Sequence, residues 1–308
     1  MKQRAYAAAG VDIDLGNRVK ATLPQLLAST RRREVLGKVG GFGGLFALDT
    51  KKFAQPVLVS STDGVGTKLK IAFAMDRHDT VGQDLVNHCA LIGGETAQMP
   101  GFYRPGEYDV SGTIVGVVEK ARILDGKSIR PGDAVIGLAS SGLHTNGYSL
   151  ARKIFFGRLR LKPGSYVREL NNTVGEELLK VHVSYGPLAR KLLKKFNPPG
   201  KGGGVVVKGL AHITGGGFID NIPRVLPRKC DVVVRRGSWV VPPLFQFLQA
   251  RGGVEEAEMY QVFNMGVGMT VIVAGDKADA VLRFIRAQKQ AAWLIGEVVS
   301  GAGTARIV

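Results

Sequence analysis

A glycine-rich stretch with one aspartate and one lysine is the part of this sequence best suited to phosphate chemistry. It covers residues 60–68, SSTDGVGTK, directly after an apolar run. The carboxylate of Asp63 can hold Mg²⁺, the backbone at Gly64, Gly66 and Thr67 can approach phosphate oxygens, and Lys68 can neutralise charge. The spacing is not that of a Walker A loop, and a structural turn explains the stretch about as well as a phosphate site does.

Two further carboxylates follow predicted strands or precede them. Glu95 lies in the sequence GGET, and Asp109 lies in the sequence EYD. If these strands are neighbours, then Asp63, Glu95 and Asp109 can converge as oxygen ligands for one or two Mg²⁺ ions that carry ATP phosphates. Gly93, Gly94 and Thr96 would then contact the phosphates, although each carboxylate alone is more often solvated or a helix cap.

A cluster of four glycines surrounds one aromatic residue near the N-terminus. Gly40, Gly41, Gly43 and Gly44 flank Phe42. Such a segment predicts a flexible lid that closes over a ligand, and a plain linker is the alternative.

The second half of the chain has two polar loops that can bind a sugar phosphate. The first, residues 140–147, offers Ser141, Asn146 and His144, and the imidazole can move protons near neutral pH. Its alternative is a turn that caps the next helix. The second loop contains Thr214, Gly215 and Gly216 ahead of a helix predicted near residue 218, where backbone N–H groups can bind an anion. His78, His88 and His182 have no comparable surroundings and are predicted to be surface or packing residues.

Short β-branched runs alternating with amphipathic segments must position these loops, and they predict an α/β or α+β architecture. The predicted strands cover residues 57–61, 90–92, 110–118, 134–139, 232–234, 269–273 and 293–298. Apolar residues at helical spacing predict helices around residues 188–196 and 278–285. The Pro-Gly turn at 131–132 predicts a boundary between an N-terminal domain, 1–130, and a C-terminal domain, 131–308.

Composition excludes several classes of protein. The net charge is +17, but the basic residues are scattered and aromatics make up 7%, so no dedicated nucleic-acid surface is predicted. The two cysteines, Cys89 and Cys230, are too far apart in sequence to indicate a structural zinc site. No apolar window is long enough for a membrane helix and no signal peptide is evident, so a cytoplasmic protein is expected.

The motifs together resemble one family, the phosphoribosylformylglycinamidine cyclo-ligases or AIR synthetases, from residue 6 to the C-terminus. The following segments carry the resemblance in order: AYAAAGVDID, GGFGG, SSTDGVGTK, GGETAQMPGFY, GEYDVSG, ASSGLHTNG, GLAHITGGG, NIPRVLP, FNMGVGM and WLIGEVV. The resemblance implies a two-domain fold whose N-terminal sheet forms a barrel in a homodimer, with a C-terminal α/β domain. It also implies ATP-dependent ring closure of formylglycinamidine ribonucleotide, with ATP and Mg²⁺ bound and with no membrane partner.

The resemblance assigns the site residues of this chain. It implies that Asp63 and Glu95 serve the metal and ATP, and that Lys68 and the lid glycines hold phosphates. His144, Asn146 and residues 214–216 would lie in the cleft, with His144 among the catalytic residues beside Asp63 and Lys68.

One junction departs from the family pattern. Residues 80–92, TVGQDLVNHCALI, pass from a helix-like start to a strand-like end without a turn. The family has an N-D dipeptide, a D-x-x-x-x-G-A-x-P motif, a strand and a helix here, so a motif aspartate and a barrel strand are missing near Cys89. Either a real segment is absent from this sequence, or the chain is a degenerate nucleotide-binding or scaffold homologue.

Overall fold

The computed structural model of the chain describes residues 9, 11–36, 44–86, 89–200 and 204–308. These residues form two compact units. Unit 1 comprises the described residues of Met1–Gly64 and Leu85–Ile123, and unit 2 comprises Val65–Asp84 and the described residues of Leu124–Val308. The segment 65–84 therefore belongs to unit 2, whereas the boundary predicted at residue 130 places it in the N-terminal domain.

Unit 1 is organised around one long antiparallel strand pair. Its elements are α1 (Ile13–Leu27), β1 (Val35–Leu36), β2 (Leu45–Phe46), β3 (Pro56–Gly64) and β4 (Ser111–Glu119). Strands β3 and β4 pair along their whole length, from Pro56 opposite Glu119 to Gly64 opposite Ser111. The valine-rich composition of both segments favours this extended pairing, and the strands predicted at 57–61 and 110–118 are confirmed.

The strand predicted at residues 90–92 is wrong, because these residues have no strand partner among the described residues. The backbone N–H of Leu91 donates instead to the Thr30 hydroxyl, at 3.3 Å. A strand is stable only when a neighbour satisfies its backbone groups, and apolar composition alone does not provide that neighbour.

Unit 2 is built on a six-stranded sheet. Its strands are β5 (Ala134–Ala139), β8 (Val207–His212), β9 (Cys230–Val234), β10 (Val267–Val273), β11 (Ala292–Ser300) and β12 (Ala305–Ile307), and a two-stranded pair, β6 (Tyr166–Val167) and β7 (Asn172–Thr173), lies apart from the sheet. The order across the sheet is β12-β9-β11-β5-β10-β8. All neighbours are antiparallel except β12 and β9, which are parallel.

The helices of unit 2 connect and cover these strands. They are α2 (Leu69–Met75), α3 (Val81–Val86, whose last two residues fall in unit 1), α4 (Tyr148–Arg152), α5 (Val174–Leu178), α6 (Gly186–Phe196), α7 (Gly217–Asn221), α8 (Pro243–Gly252), α9 (Glu256–Val262) and α10 (Ala278–Ala287). Helices α6 and α10 confirm the two helices predicted from periodicity.

The core of unit 2 lies where α6 and α10 pack on the sheet. Leu192 of α6 and Val281 and Ile285 of α10 are buried against Ile136 and Val271 of the central strands. Complete burial of each such side chain contributes about 1.5–3 kcal/mol. Helices and mainly antiparallel strands confirm the predicted α/β (α+β) class, and none of the helices among the described residues is long and apolar enough to cross a membrane.

Candidate functional site

The three predicted carboxylates all lie in unit 1, at exposed positions. Asp63 is the penultimate residue of β3, Asp109 lies just before β4, and Glu95 lies in a segment without regular structure. One oxygen of each carboxylate accepts a hydrogen bond from the N–H of the next residue, at 2.8 Å for Asp63 and Asp109 and 2.9 Å for Glu95. Among the described side chains, these carboxylates do not form a group of three within metal-ligand spacing of one another.

The predicted glycine lid falls only partly within the structure. Gly40, Gly41 and Gly43 lie outside the described residues, whereas Gly44 is described. A Cβ atom at Gly44 would lie 2.5 Å from the carbonyl oxygen of Ile92, so the backbone approaches residue 92 too closely for any side chain. Gly93, Gly94 and Thr96 are exposed in the segment that follows.

The second part of the 60–68 motif belongs to unit 2. Gly66, with a φ of +55°, begins a short 3₁₀ turn through Thr67 and Lys68 that leads into α2. Gly66 and Thr67 are exposed, but the Lys68 side chain is fully buried.

The buried Lys68 ammonium is bonded within unit 2. It donates to Asp84 Oδ2 at 2.5 Å and to the carbonyl oxygen of Lys180 at 2.7 Å, while Asp84 Oδ1 accepts the backbone N–H of His182 at 2.8 Å. Burial lowers the pKa of Lys68, although the Asp84 charge opposes that shift. This pair ties α2 and α3 to the segment before α6, a role that the glycine-lysine motif did not reveal.

His144 lies in the loop after β5 and is buried. Its Nε2 accepts the backbone N–H groups of Ser141, at 3.0 Å, and of Val183, at 3.2 Å. Burial, followed by the nearby His182, His212 and Lys68, lowers the pKa of His144 to about 2. The imidazole is therefore neutral at physiological pH, and it organises the loop through its acceptor nitrogen.

The two polar loops predicted in the second half lie side by side in unit 2. Asn146 Oδ1 accepts the backbone N–H of Gly215 at 3.0 Å, which joins the loop after β5 to the loop after β8. Asn221, which no motif in the sequence indicates, donates to the carbonyl oxygens of Thr214, Gly215 and Gly217 at 3.3, 3.2 and 2.7 Å. Gly216, with a φ of +92°, completes this loop.

His182 is a packing residue, as predicted, and its ring also belongs to a cluster of histidines that the sequence did not indicate. Its ring stacks on that of His144, with centroids 4.0 Å apart, and its Nε2 lies 3.1 Å from Nε2 of His212. Burial, followed by His212 and Lys68, lowers the pKa of His182 to about 4. The sequence contains no signal for this contact, because it depends on how three separate segments meet. His88 lies outside the described residues, and His78 is exposed, in agreement with the prediction of a surface residue.

The solved structures that resemble this chain share its fold at low identity. Thiamine-monophosphate kinase from Stenotrophomonas maltophilia matches with a TM-score of 0.59 and 12% identity, covering 92% of this chain and 94% of that chain. HypE of Escherichia coli, a hydrogenase maturation protein, matches with a TM-score of 0.53 and 16% identity, covering 93% and 92%.

Relatives at much higher identity carry one name, phosphoribosylformylglycinamidine cyclo-ligase. The relative of Syntrophotalea carbinolica is 44% identical over 98% of this chain and 96% of its own length. The relative of Geobacillus thermodenitrificans is 45% identical over 97% of this chain and 97% of its own length. The relative of Trichlorobacter lovleyi is 46% identical over 97% of this chain and 96% of its own length.

The alignment with the Syntrophotalea relative spans 345 residues, more than the 308 of this chain, so this chain lacks residues that the relative has. A family model for the C-terminal domain of AIR synthase related proteins matches residues 130–308. The chain belongs to the phosphoribosylformylglycinamidine cyclo-ligase, or AIR synthetase, family.

Proposed function

We propose that this chain catalyses ATP-dependent closure of formylglycinamidine ribonucleotide to 5-aminoimidazole ribonucleotide, in purine biosynthesis in the cytoplasm. The observation that carries the proposal is identity of 44–46% along nearly the whole chain with relatives of that name. In the reaction, the formamide oxygen takes the γ-phosphoryl group of ATP, and ADP leaves. The amidine nitrogen then attacks the formyl carbon, and the C–O bond breaks to release phosphate.

The ligand chemistry of the exposed carboxylates of unit 1 suits a hard cation, although the three are not within metal-ligand spacing of one another in the structure. Mg²⁺ prefers oxygen ligands, and Asp63, Glu95 and Asp109 supply them without any nitrogen or sulfur donor. The ion would offset negative charge on the transferring phosphoryl group. The proposed phosphate contacts are made by Gly40, Gly41, Gly43, Gly44, Gly64, Gly66, Thr67, Gly93, Gly94 and Thr96.

The loops after β5 and β8 are the proposed place for the nucleotide substrate. Ser141, Asn146, Thr214, Gly215 and Gly216 supply hydroxyl, amide and backbone N–H groups there, and the bond from Gly215 to Asn146 supports a shared site. Positioning of a ligand by such preset groups supplies much of the acceleration in phosphoryl transfer.

The family resemblance implies that Lys68 and His144 are catalytic residues, and their burial leads us to propose instead that they are positioning residues. The Lys68 ammonium is buried and bonded to Asp84, and the His144 imidazole is buried and accepts two backbone N–H groups. Each therefore fixes the backbone near the site, and substrate contact is left to the residues around them.

Purified chain supplied with formylglycinamidine ribonucleotide, ATP and Mg²⁺ should release ADP and form a diazotisable aminoimidazole. Asp63→Asn should lose turnover and keep its fold, because the amide side chain would retain an oxygen that can accept the Gly64 N–H. Asp76→Asn is the matched control, because Asp76 is exposed and its φ of +47° suits asparagine. ATP binding without product in the unaltered chain would refute the proposal and favour the degenerate homologue, an alternative to which the named relatives give no support.

A homodimer built on unit 1 is part of the same proposal. Leu58 and Val59 of β3 and Ile114 and Val115 of β4 are 69%, 54%, 48% and 58% exposed. A two-stranded sheet with apolar groups exposed on both faces is marginal alone, and a second copy would cover it. Analytical sedimentation should show a dimer that Leu58→Glu weakens. Val240→Glu, which changes an equally exposed apolar residue of unit 2, should leave the dimer unchanged. A monomeric unaltered chain would contradict the proposal.

We further propose that residues 1–130 bind ATP and dimerise and that 131–308 form the C-terminal domain.

A further inference from the structure

Three imidazole side chains of unit 2 lie close together, and no function has been proposed above for the three as a group. His144 follows β5, His182 precedes α6, and His212 ends β8. One ring nitrogen of each lies within 4.8 Å of the others, and within the described part of the chain this is the one group of three His, Cys, Asp or Glu side chains with that spacing. The group contains nitrogen donors only.

Two of these rings have the geometry of a chelating pair. Nε2 of His182 and Nε2 of His212 are 3.1 Å apart, and the ring centroids are 5.0 Å apart. With metal–nitrogen bonds of about 2.05 Å, that separation corresponds to a nitrogen–metal–nitrogen angle of about 100° and to centroids about 4.8 Å apart. A straight hydrogen bond of the same length would place the centroids about 5.4 Å apart. The observed 5.0 Å lies between these two values, so the same two nitrogens that are within hydrogen-bond distance can also share one ion.

The third ring supports the pair and is not itself a ligand. The Nε2 lone pair of His144 already accepts two backbone N–H groups, so the proton of the neutral ring is on Nδ1. The rings of His144 and His182 are stacked, with an angle of 21° between their planes, so their in-plane lone pairs cannot meet at one ion. Stacking on the buried His144 instead fixes the orientation of the His182 ring.

We propose that Nε2 of His182 and Nε2 of His212 bind one divalent transition-metal ion of the Zn²⁺ class, with water completing its coordination. Imidazole nitrogen suits Zn²⁺, Cu²⁺ and Ni²⁺ and not Mg²⁺, which prefers oxygen. His212 is exposed, which gives an ion access from solvent. The nearby Lys68 charge is offset by its ion pair with Asp84, so it does not exclude a cation. The site adjoins the proposed substrate loops. Zn²⁺ binding without substrate tests the site separately from the proposed activity.

Calorimetric titration with Zn²⁺ tests the site, using the full chain without a histidine tag, stripped of metal, in excess Mg²⁺ to occupy oxygen sites. One Zn²⁺ should bind per chain, and His182→Asn and His212→Asn should each weaken binding at least about tenfold. His78→Asn is the matched control, because that histidine is not in the group and should leave binding unchanged.

The structure of the loaded site gives a second readout. X-ray absorption of the Zn²⁺-loaded chain should show about two imidazole ligands per ion. No saturable binding, binding that both variants retain at full strength, or a coordination shell of oxygen alone would each overturn the proposal. Since His212 is exposed, His212→Asn should keep the fold, and circular dichroism checks this for each variant.

Discussion

Removing the Lys68 ammonium should destabilise unit 2 far more than removing a surface lysine. In Lys68→Met the apolar stem is retained, but the Asp84 carboxylate loses its partner at a position where both side chains are 0% exposed. Loss of one partner of a buried ion pair costs about 3–5 kcal/mol, because the remaining charge is neither solvated nor paired. A unit of about 200 residues loses about 2–4 °C in Tm per kcal/mol, so we expect a fall of about 6–20 °C.

The double variant separates the ion pair from simple packing. Asp84→Asn keeps an oxygen that can accept the His182 N–H and removes the buried charge. In Lys68→Met with Asp84→Asn, neither buried charge remains, so more than half of the lost stability should return.

A thermal melt followed by circular dichroism measures all of these variants against an exposed pair. Lys277 and Asp276 are 3.2 Å apart with side chains 53% and 71% exposed, so Lys277→Met should change stability by less than about 1 kcal/mol. A Lys68→Met variant that melts within the range of Lys277→Met, or a double variant as unstable as Lys68→Met alone, would contradict the destabilising effect of the unpaired Asp84.

Acid should destabilise unit 2 through its neutral histidines, whose folded pKa values of about 2 for His144 and about 4 for His182 lie below the ordinary 6.5. The unfolded chain then binds more protons than the folded chain below pH 6.5. The free energy of unfolding therefore falls as the pH is lowered from 7 toward 4, by roughly 1–2 kcal/mol per group at pH 5. Thermal melts at pH 7 and pH 5 should show that His182→Asn loses less stability on acidification than the unaltered chain, and an equal loss would contradict this. Gly217→Ala should destabilise strongly and distort the β8 loop, because its φ is +57° and a Cβ would lie 1.8 Å from the Tyr260 carbonyl oxygen. Gly237→Ala, with a φ of +73° and open space, should cost only about 1 kcal/mol in the same melt, and equal losses would show that the close approach is unimportant.

Much of unit 2 could be predicted from the sequence because its elements have clear periodicity. Strand β5 was predicted with its observed limits, and α10 follows from apolar residues at helical spacing. Strand β8 was missed, because Lys208 and Gly209 interrupt its apolar pattern. The structure explains the lysine: its ammonium is buried in an ion pair with Asp133, with Nζ–O distances of 2.6 and 2.8 Å. The hydrophobic periodicity of a segment cannot predict that a charged residue is buried when its ion-pair partner is 75 residues away.

The site residues could be listed from the sequence, but their neighbours could not. Glycines and polar groups marked the loops at 140–147 and 214–217, whereas Asp84, His182 and Asn221 have no local signal. Each acts through a contact with a distant segment, such as the bond from the His182 N–H to Asp84. The phosphate-like motif around Lys68 gave no indication that its ammonium is buried against Asp84.

Sheet topology explains why the two substrate loops and the histidines meet. Strands β5 and β8 are both antiparallel to β10, which lies between them, so β5 and β8 run in the same direction. Met269 of β10 is opposite Leu138 on one side and His212 on the other, which brings the carboxyl ends of both strands to one edge of the sheet. The loop after β5 then lies beside the loop after β8, as the bond from Gly215 to Asn146 shows. Strand β10 is distant from β5 and β8 along the chain, yet it lies between them in the sheet. The meeting of the two loops therefore depends on the topology of the whole sheet and on no local motif.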